Sequence, residues 1–236
     1  MEKLNFKLNE YYHQFPLRWE EQKYLWKSVR TFQENWNLDA VDLAGMIDIA
    51  TSDADYLIES NRYYPRKILR SLIEIDCQRV REIFERLFDE SQDIINRIST
   101  FERMVEDLRL GHEDKPYLSR KEPSAYPVIA STFLWLMYPD QYYFYKYSVA
   151  KKVASETGIC FIDDTDSSHK MASWFSLLEE VSASLVADIR FRRLLDDRLD
   201  ETMYRDEQMH CMAIDFAFYI RPLYEGRKSK DLRKKT

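Results

Sequence analysis

Five aromatic residues stand almost in a row in Tyr142-Tyr143-Phe144-Tyr145-Lys146-Tyr147. Successive side chains of an extended chain alternate faces, so Tyr143, Tyr145 and Tyr147 share one side with Lys146 beside them. Exposed rings next to a cation can stack a flipped-out or single-stranded nucleobase. The same pattern also describes a buried strand whose tyrosine hydroxyls find partners at the edge of a core. A second cluster, Arg66, Lys67 and Arg70, falls on what should be the exposed side of a helix opening at Pro65, where it could contact DNA or a protein partner.

Other constellations invite a chemical reading and a structural one. Asp163, Asp164, Asp166 and His169 are close enough in sequence to converge on one hard cation. At the entry to a following helix they need no metal, because carboxylates there accept free N–H groups and oppose the helix dipole. His210 and Cys211 are adjacent on a helix, diverge by about 100°, and cannot face each other as a catalytic pair. Pro139-Asp140 and Glu113-x-Lys115 resemble fragments of a nuclease's carboxylate and lysine centre, but in reversed order and outside any apolar strand. Four glycines in the whole chain leave no material for a phosphate-cradling loop, a dinucleotide fingerprint or a nucleophile elbow. No cofactor and no resident metal are expected.

The elements that must position these residues read as helices. Residues 1–16 look like a docked arm, and Leu25, Val29, Phe32 and Trp36 mark an amphipathic helix from Arg18 to Trp36. Asp39 is a candidate cap for a second helix ending at Ile49, and Pro65 opens a third. Val80, Ile83, Phe84 and Leu87 define a fourth over 79–88. Asp89 with Gln92 resembles a capping box for a fifth, whose stripe is Ile94, Ile98, Phe101, Val105 and Leu108. Val128 to Met137 is apolar on nearly every side, which makes it the central buried helix. Ser148 and Gly158 bracket the helix after the tyrosine segment, 169–190 forms the next, and Asp206 precedes the last. The sequence predicts a mainly α, irregular multi-helical globular fold, with at most a small two-stranded β element near 142–147 and 159–162.

Residues 1–225 are read as one helical domain, with a candidate internal boundary in the loop 111–127. Residues 226–236 carry six basic side chains against Asp231, a net +5, which leaves −11 on residues 1–225 of a chain whose total is −6. An acidic body disfavours broad binding to a phosphate backbone, and the basic end reads as a solvated, disordered tail. Neither a leader-type apolar segment nor a run of about 18 apolar residues occurs, so a cytoplasmic protein without membrane contact is expected. Cys77, Cys160 and Cys211 are widely spaced and form no disulfide or zinc pattern.

Several stretches, taken together, resemble the N-terminal helical region of McrB-like AAA-type ATPases, relatives of the motor subunit of modified-cytosine restriction systems. They are Tyr24-Leu25-Trp26-Lys27 with Phe32 to Trp36 and Asp39; Tyr63-Tyr64-Pro65-Arg66; Leu87 to Ser91; Tyr138 to Lys146; and Leu199-Asp200-Glu201 leading to Asp215-Phe216 and Tyr219-Ile220. The resemblance implies a recognition or adaptor role in DNA restriction or phage defence, joined to a motor and a partner nuclease. No motor sequence follows Ile220 here, so the chain is a fragment or works with a separately encoded AAA-type motor or nuclease subunit. The resulting expectation is a non-enzymatic module binding DNA or that partner. The alternatives are a protein scaffold without nucleic-acid contact and a metal-dependent nuclease.

Overall fold

The structure is a computed structural model that describes residues 2–58, 64–119, 121–122 and 125–223. Among the described residues it contains twelve α-helices, one short 3-10 turn and no strand. The basic segment 226–236 lies outside them.

The first helix, α1 (Glu2–Gln22), contains the residues read as an arm. Its buried side chains Leu4, Leu8, Tyr11, Phe15 and Trp19 recur every three or four residues, one stripe on one face. That stripe runs straight through Pro16, so the burial of five large side chains outweighs the backbone bond the proline cannot make. The predicted helix from Arg18 to Trp36 is divided at Lys23, giving the end of α1 and α2 (Tyr24–Asn35). Cap assignments also move. Asp42, not Asp39, accepts the Gly45 amide at 2.9 Å to open α3 (Leu43–Ala50), while Asp39 sits in a turn closed by Asn37. A Cβ on Gly45 would lie 2.3 Å from the Asp42 carboxylate, so a larger residue there would require that side chain to shift.

A 3-10 turn and α4 (Asp55–Ile58) precede α5 (Pro65–Ile75), followed by α6 (Cys77–Phe88) and α7 (Ile94–Arg109). Asp93 caps α7 through the Asn96 amide, and Asp89 instead binds Ser91 in the preceding turn. The central helix α8 (Ala125–Met137) is buried on all sides, as its composition dictates, and packs against α2, α4, α5, α6, α7 and α10. It starts within the predicted loop 111–127, with Pro127 tolerated in its first turn. Apolar residues on both sides of that loop belong to one core cluster.

The remaining helices are α9 (Tyr147–Thr157), α10 (Ser167–Ala187), α11 (Ile189–Asp196) and α12 (His210–Ile220). Gly158 ends α9 at φ 75°, a conformation that suits a residue without Cβ. α12 is a second nearly all-buried helix, contacting α1, α2, α9 and α10. Two buried carboxylates tie it to the N-terminal helices. Asp206 caps it by accepting the Cys211 and Met212 amides at 3.0 and 3.1 Å, and also accepts the Trp26 indole N–H at 3.0 Å. Asp215 accepts the Tyr11 hydroxyl at 2.7 Å and an Arg18 guanidinium N–H at 2.8 Å. No helix among the described residues is long and apolar enough to cross a membrane.

Candidate nucleic-acid interface

The tyrosine segment leaves α8 through a turn in which the Tyr138 carbonyl accepts the Gln141 and Tyr142 amides, runs irregularly to an extended Lys146, and forms no strand. Its backbone bonds to side chains instead: the Tyr145 amide donates to Ser131 Oγ at 3.0 Å, and the Trp174 indole donates to the Phe144 carbonyl at 2.8 Å. α8, α10 and α12 supply covering side chains on both sides, so the alternation of faces produces no exposed face. Tyr143 stacks on His210 at 4.3 Å and donates to Glu179 at 2.8 Å, while Phe144 meets Phe218 edge-on. Tyr143 and Tyr145 are therefore core residues, at 0% and 3% exposure, and not surface contacts. Burial, with Glu179 for Tyr143, raises both hydroxyl pKa values well above the usual tyrosine range. The predicted pairing of 142–147 with 159–162 is absent for the same reason: helices already satisfy the segment.

Only the end of the segment reaches solvent. Lys146 precedes α9 and donates to the Leu223 carbonyl at 3.2 Å, which ties the last described residue to this face. Tyr147, the first residue of α9, is 41% exposed. The Lys151 and Lys170 ammonium groups lie 5.4 and 5.3 Å from its ring centroid, and its hydroxyl donates to Asp163 at 2.8 Å. This hydrogen bond, reinforced by Lys151, holds Asp163 below the usual carboxylate range.

The neighbouring acidic residues have separate partners. Asp164 accepts the Asp166 amide and contacts His169 Nδ1 at 3.1 Å, and Asp166 caps α10 through the Ser168 amide at 2.7 Å. No group of three or more metal-ligating side chains converges among the described residues. The nuclease-like fragments also diverge: Glu113 accepts the Gly111 amide, and Asp140 interacts with Tyr204. His210 and Cys211 face different surroundings, His210 toward Tyr143 and Glu179, Cys211 toward Asp206 and Trp135. Burial lowers the imidazole pKa and pushes the thiol pKa well up, so Cys211 is not set up as a thiolate nucleophile at neutral pH.

The basic cluster on α5 is partly committed to the fold. Arg66 donates to the Thr51 carbonyl and hydroxyl and pairs with Asp55 at 2.7 Å, and Arg70 pairs with Asp48 at 2.5 Å. Both arginines tie α5 to the α3–α4 region instead of presenting an open positive face. Lys67 is different. Its ammonium lies 4.9 Å from the ring centroid of Tyr64 and 5.0 Å from that of Tyr117, and among the described residues no carboxylate is within ion-pair distance. The two rings are 5.4 Å apart and 38% and 41% exposed. Both tyrosines are left-handed, at φ 48° and 68°, a conformation that costs a residue with a Cβ about 1–2 kcal/mol.

The contacts described for Arg66, Lys67 and Arg70 involve no residue of the tyrosine segment, so the predicted contacts resolve into two separate clusters. Tyr147, which is exposed, and Lys67, which is half-buried, are the members that stand in described ring-to-lysine contacts. Tyr117, Lys151 and Lys170 complete the clusters and carried no signal of their own in the sequence. Searches of family models, curated proteins and solved structures gave no match to this chain.

Proposed function

We propose that the chain is a non-enzymatic recognition module that binds nucleic acid in the cytoplasm and serves a motor or nuclease, the role implied by the resemblance of its sequence to McrB-like proteins. The observation that carries this reading is the pairing of exposed tyrosine rings with lysines. Tyr147 lies beside Lys151 and Lys170, and Tyr64 and Tyr117 flank Lys67, all at 4.9–5.4 Å. Such pairs offer a base a ring to stack on and its phosphate a cation to meet, with little dependence on sequence. An acidic body confines the contact to these points, because a bound strand is repelled elsewhere.

The scaffold alternative would call for a contiguous exposed apolar patch. The most exposed apolar side chains, Val41, Leu17, Phe6, Ile49, Ile162 and Ile189, are spread over α1, α3, α11 and the connections before α3 and α10.

Binding is measured by fluorescence anisotropy with single-stranded, duplex and cytosine-modified duplex DNA at two salt concentrations. Tyr147→Ala is expected to weaken binding about tenfold, the loss of one stacked base, and Lys170→Gln to weaken it less. Absence of binding to every DNA even at low salt would remove the nucleic-acid reading and leave the scaffold. Tyr145→Ala, in contrast, empties a core position, so any loss it produced would report unfolding.

A further inference from the structure

Among the described residues, four non-glycines have positive φ, and they fall into two kinds. Asp206 and Met209 are fully buried at the entry to α12, where the Asp206 cap bonds offset the unfavourable backbone. Tyr64 and Tyr117 are exposed. Their rings add little to the core, yet each occupies a backbone conformation that glycine would adopt without strain. Left-handed residues retained at a surface point to a functional use of the side chain.

The Tyr117 backbone is pinned on both sides. The preceding carbonyl, of Pro116, accepts the Ser71 hydroxyl of α5 at 3.2 Å. The following carbonyl, of Leu118, accepts Arg109 Nη1 at 3.0 Å, and Arg109 is itself buried and held by both carboxylate oxygens of Glu106 at 2.9 and 3.0 Å. The ring is thus positioned before any ligand arrives, which lowers the ordering cost of binding.

We propose that Tyr64, Lys67 and Tyr117 form a site for one unpaired nucleotide, with the base stacked on a tyrosine ring and its phosphate on the Lys67 ammonium. The inference rests on the nucleic-acid reading above and narrows it. Of the three cations on α5, Arg66 is engaged by Asp55 and Arg70 by Asp48, which leaves Lys67 to meet a phosphate. A single phosphate contact does not hold a duplex, whose binding draws on several phosphates at once. A base inside a duplex also has no free face to offer a ring. A cationic ligand is disfavoured, because Lys67 already supplies the positive charge over both rings. The flexible lysine stem can turn its ammonium to a phosphate while the rings stay in place. The nucleotide belongs to a strand or is free; the chemistry recognised is the same.

The test is anisotropy of a labelled single-stranded oligonucleotide of about 15 residues, a length that covers a stacking groove of ordinary size. The full chain is compared with Tyr117→Gly, Tyr117→Phe and Lys67→Gln, with unlabelled duplex and adenosine monophosphate as competitors. The wild type is expected to bind single strand in preference to duplex. Tyr117→Gly should bind about tenfold more weakly without a lower Tm, because glycine relieves the left-handed backbone as it removes the ring. Tyr117→Phe should bind like the wild type, and Lys67→Gln should flatten the salt dependence by about 0.7 in log–log slope. Displacement by adenosine monophosphate at comparable affinity would assign a free nucleotide as ligand, and failure to displace would assign the strand. Wild-type affinity in Tyr117→Gly, with oligonucleotide binding intact, would overturn this site and leave the broader reading standing. No binding by the wild-type chain would overturn both.

Discussion

Asp215→Ala is expected to destabilise the protein by about 3–5 kcal/mol, measured by urea unfolding at neutral pH. The carboxylate is wholly buried and is the acceptor for both Tyr11 and Arg18. Removing it leaves the Arg18 guanidinium, whose Nε already lacks a partner, facing an apolar surface without its countercharge. The Tyr11 hydroxyl would keep only a long contact to the Met212 carbonyl at 3.4 Å. Burial pushes the Asp215 carboxyl pKa up against the pull of Arg18 and Tyr11, so desolvation of the charge is a real cost in the native protein. It follows that Arg18→Met combined with Asp215→Leu should cost less than Asp215→Ala alone, since both charges then leave together. A single variant that lost less than about 1 kcal/mol would show that water solvates the stranded arginine at little cost.

The second large effect is at Asp206. Its carboxylate satisfies three donors from two helices, so Asp206→Ala orphans the Trp26 indole and two first-turn amides of α12, at about 1 kcal/mol or more each. Asparagine is a gentler change: it tolerates the left-handed backbone at φ 49° and keeps an accepting oxygen. The two variants separate geometry from charge. Burial pushes the Asp206 carboxyl up to about 6, opposed by the Cys211 and Met212 amides, the Trp26 indole and Arg192. With a folded pKa above the unfolded one, the native state binds more protons between pH of about 4 and about 6, and stability falls as pH rises through that window. At about 1.4 kcal/mol for each pH unit, the full swing is about 3 kcal/mol. Thermal denaturation from pH 4 to 7 should therefore show the wild type losing stability relative to Asp206→Asn as pH rises. Comparing the two removes the contributions of Asp215 and Glu102, which burial shifts in the same direction. Parallel curves would mean that the amides and the indole keep Asp206 ionised throughout.

The extent to which sequence foretold structure follows the physics of each element. The buried helix α8 was legible because its apolar residues leave no polar face, and the Gly158 stop because a left-handed end favours glycine. Caps were less legible: Asp39 and Asp42, or Asp89 and Asp93, are equally good acceptors locally, and tertiary packing selects one. The arm over 1–16 was misread because Pro16 interrupts propensity while the stripe from Leu4 to Trp19 continues past it. At the tyrosine segment composition points to a strand, yet none forms, because neighbouring helices cover the segment and take up its backbone bonds. Ser131 and Trp174, which replace a partner strand, come from α8 and α10 and leave no mark on the segment itself. Arg66 and Arg70 looked like a free basic face because Asp55 and Asp48 belong to other elements. The Tyr64 and Tyr117 pair was hidden for a related reason, since a loop and a helix start far apart in sequence meet only through tertiary packing.

That buried, strandless segment also bears on how the protein is expected to fail. Tyr142 to Tyr147 combines high β-propensity with a single charge and contains neither proline nor glycine, the composition of segments that stack into cross-β assemblies. In the native state the helices hide its open hydrogen-bonding edges. Once heating exposes the segment, copies of it are expected to become mutual partners, so heat inactivation should speed up with protein concentration while urea unfolding stays reversible, which scans at two concentrations would check.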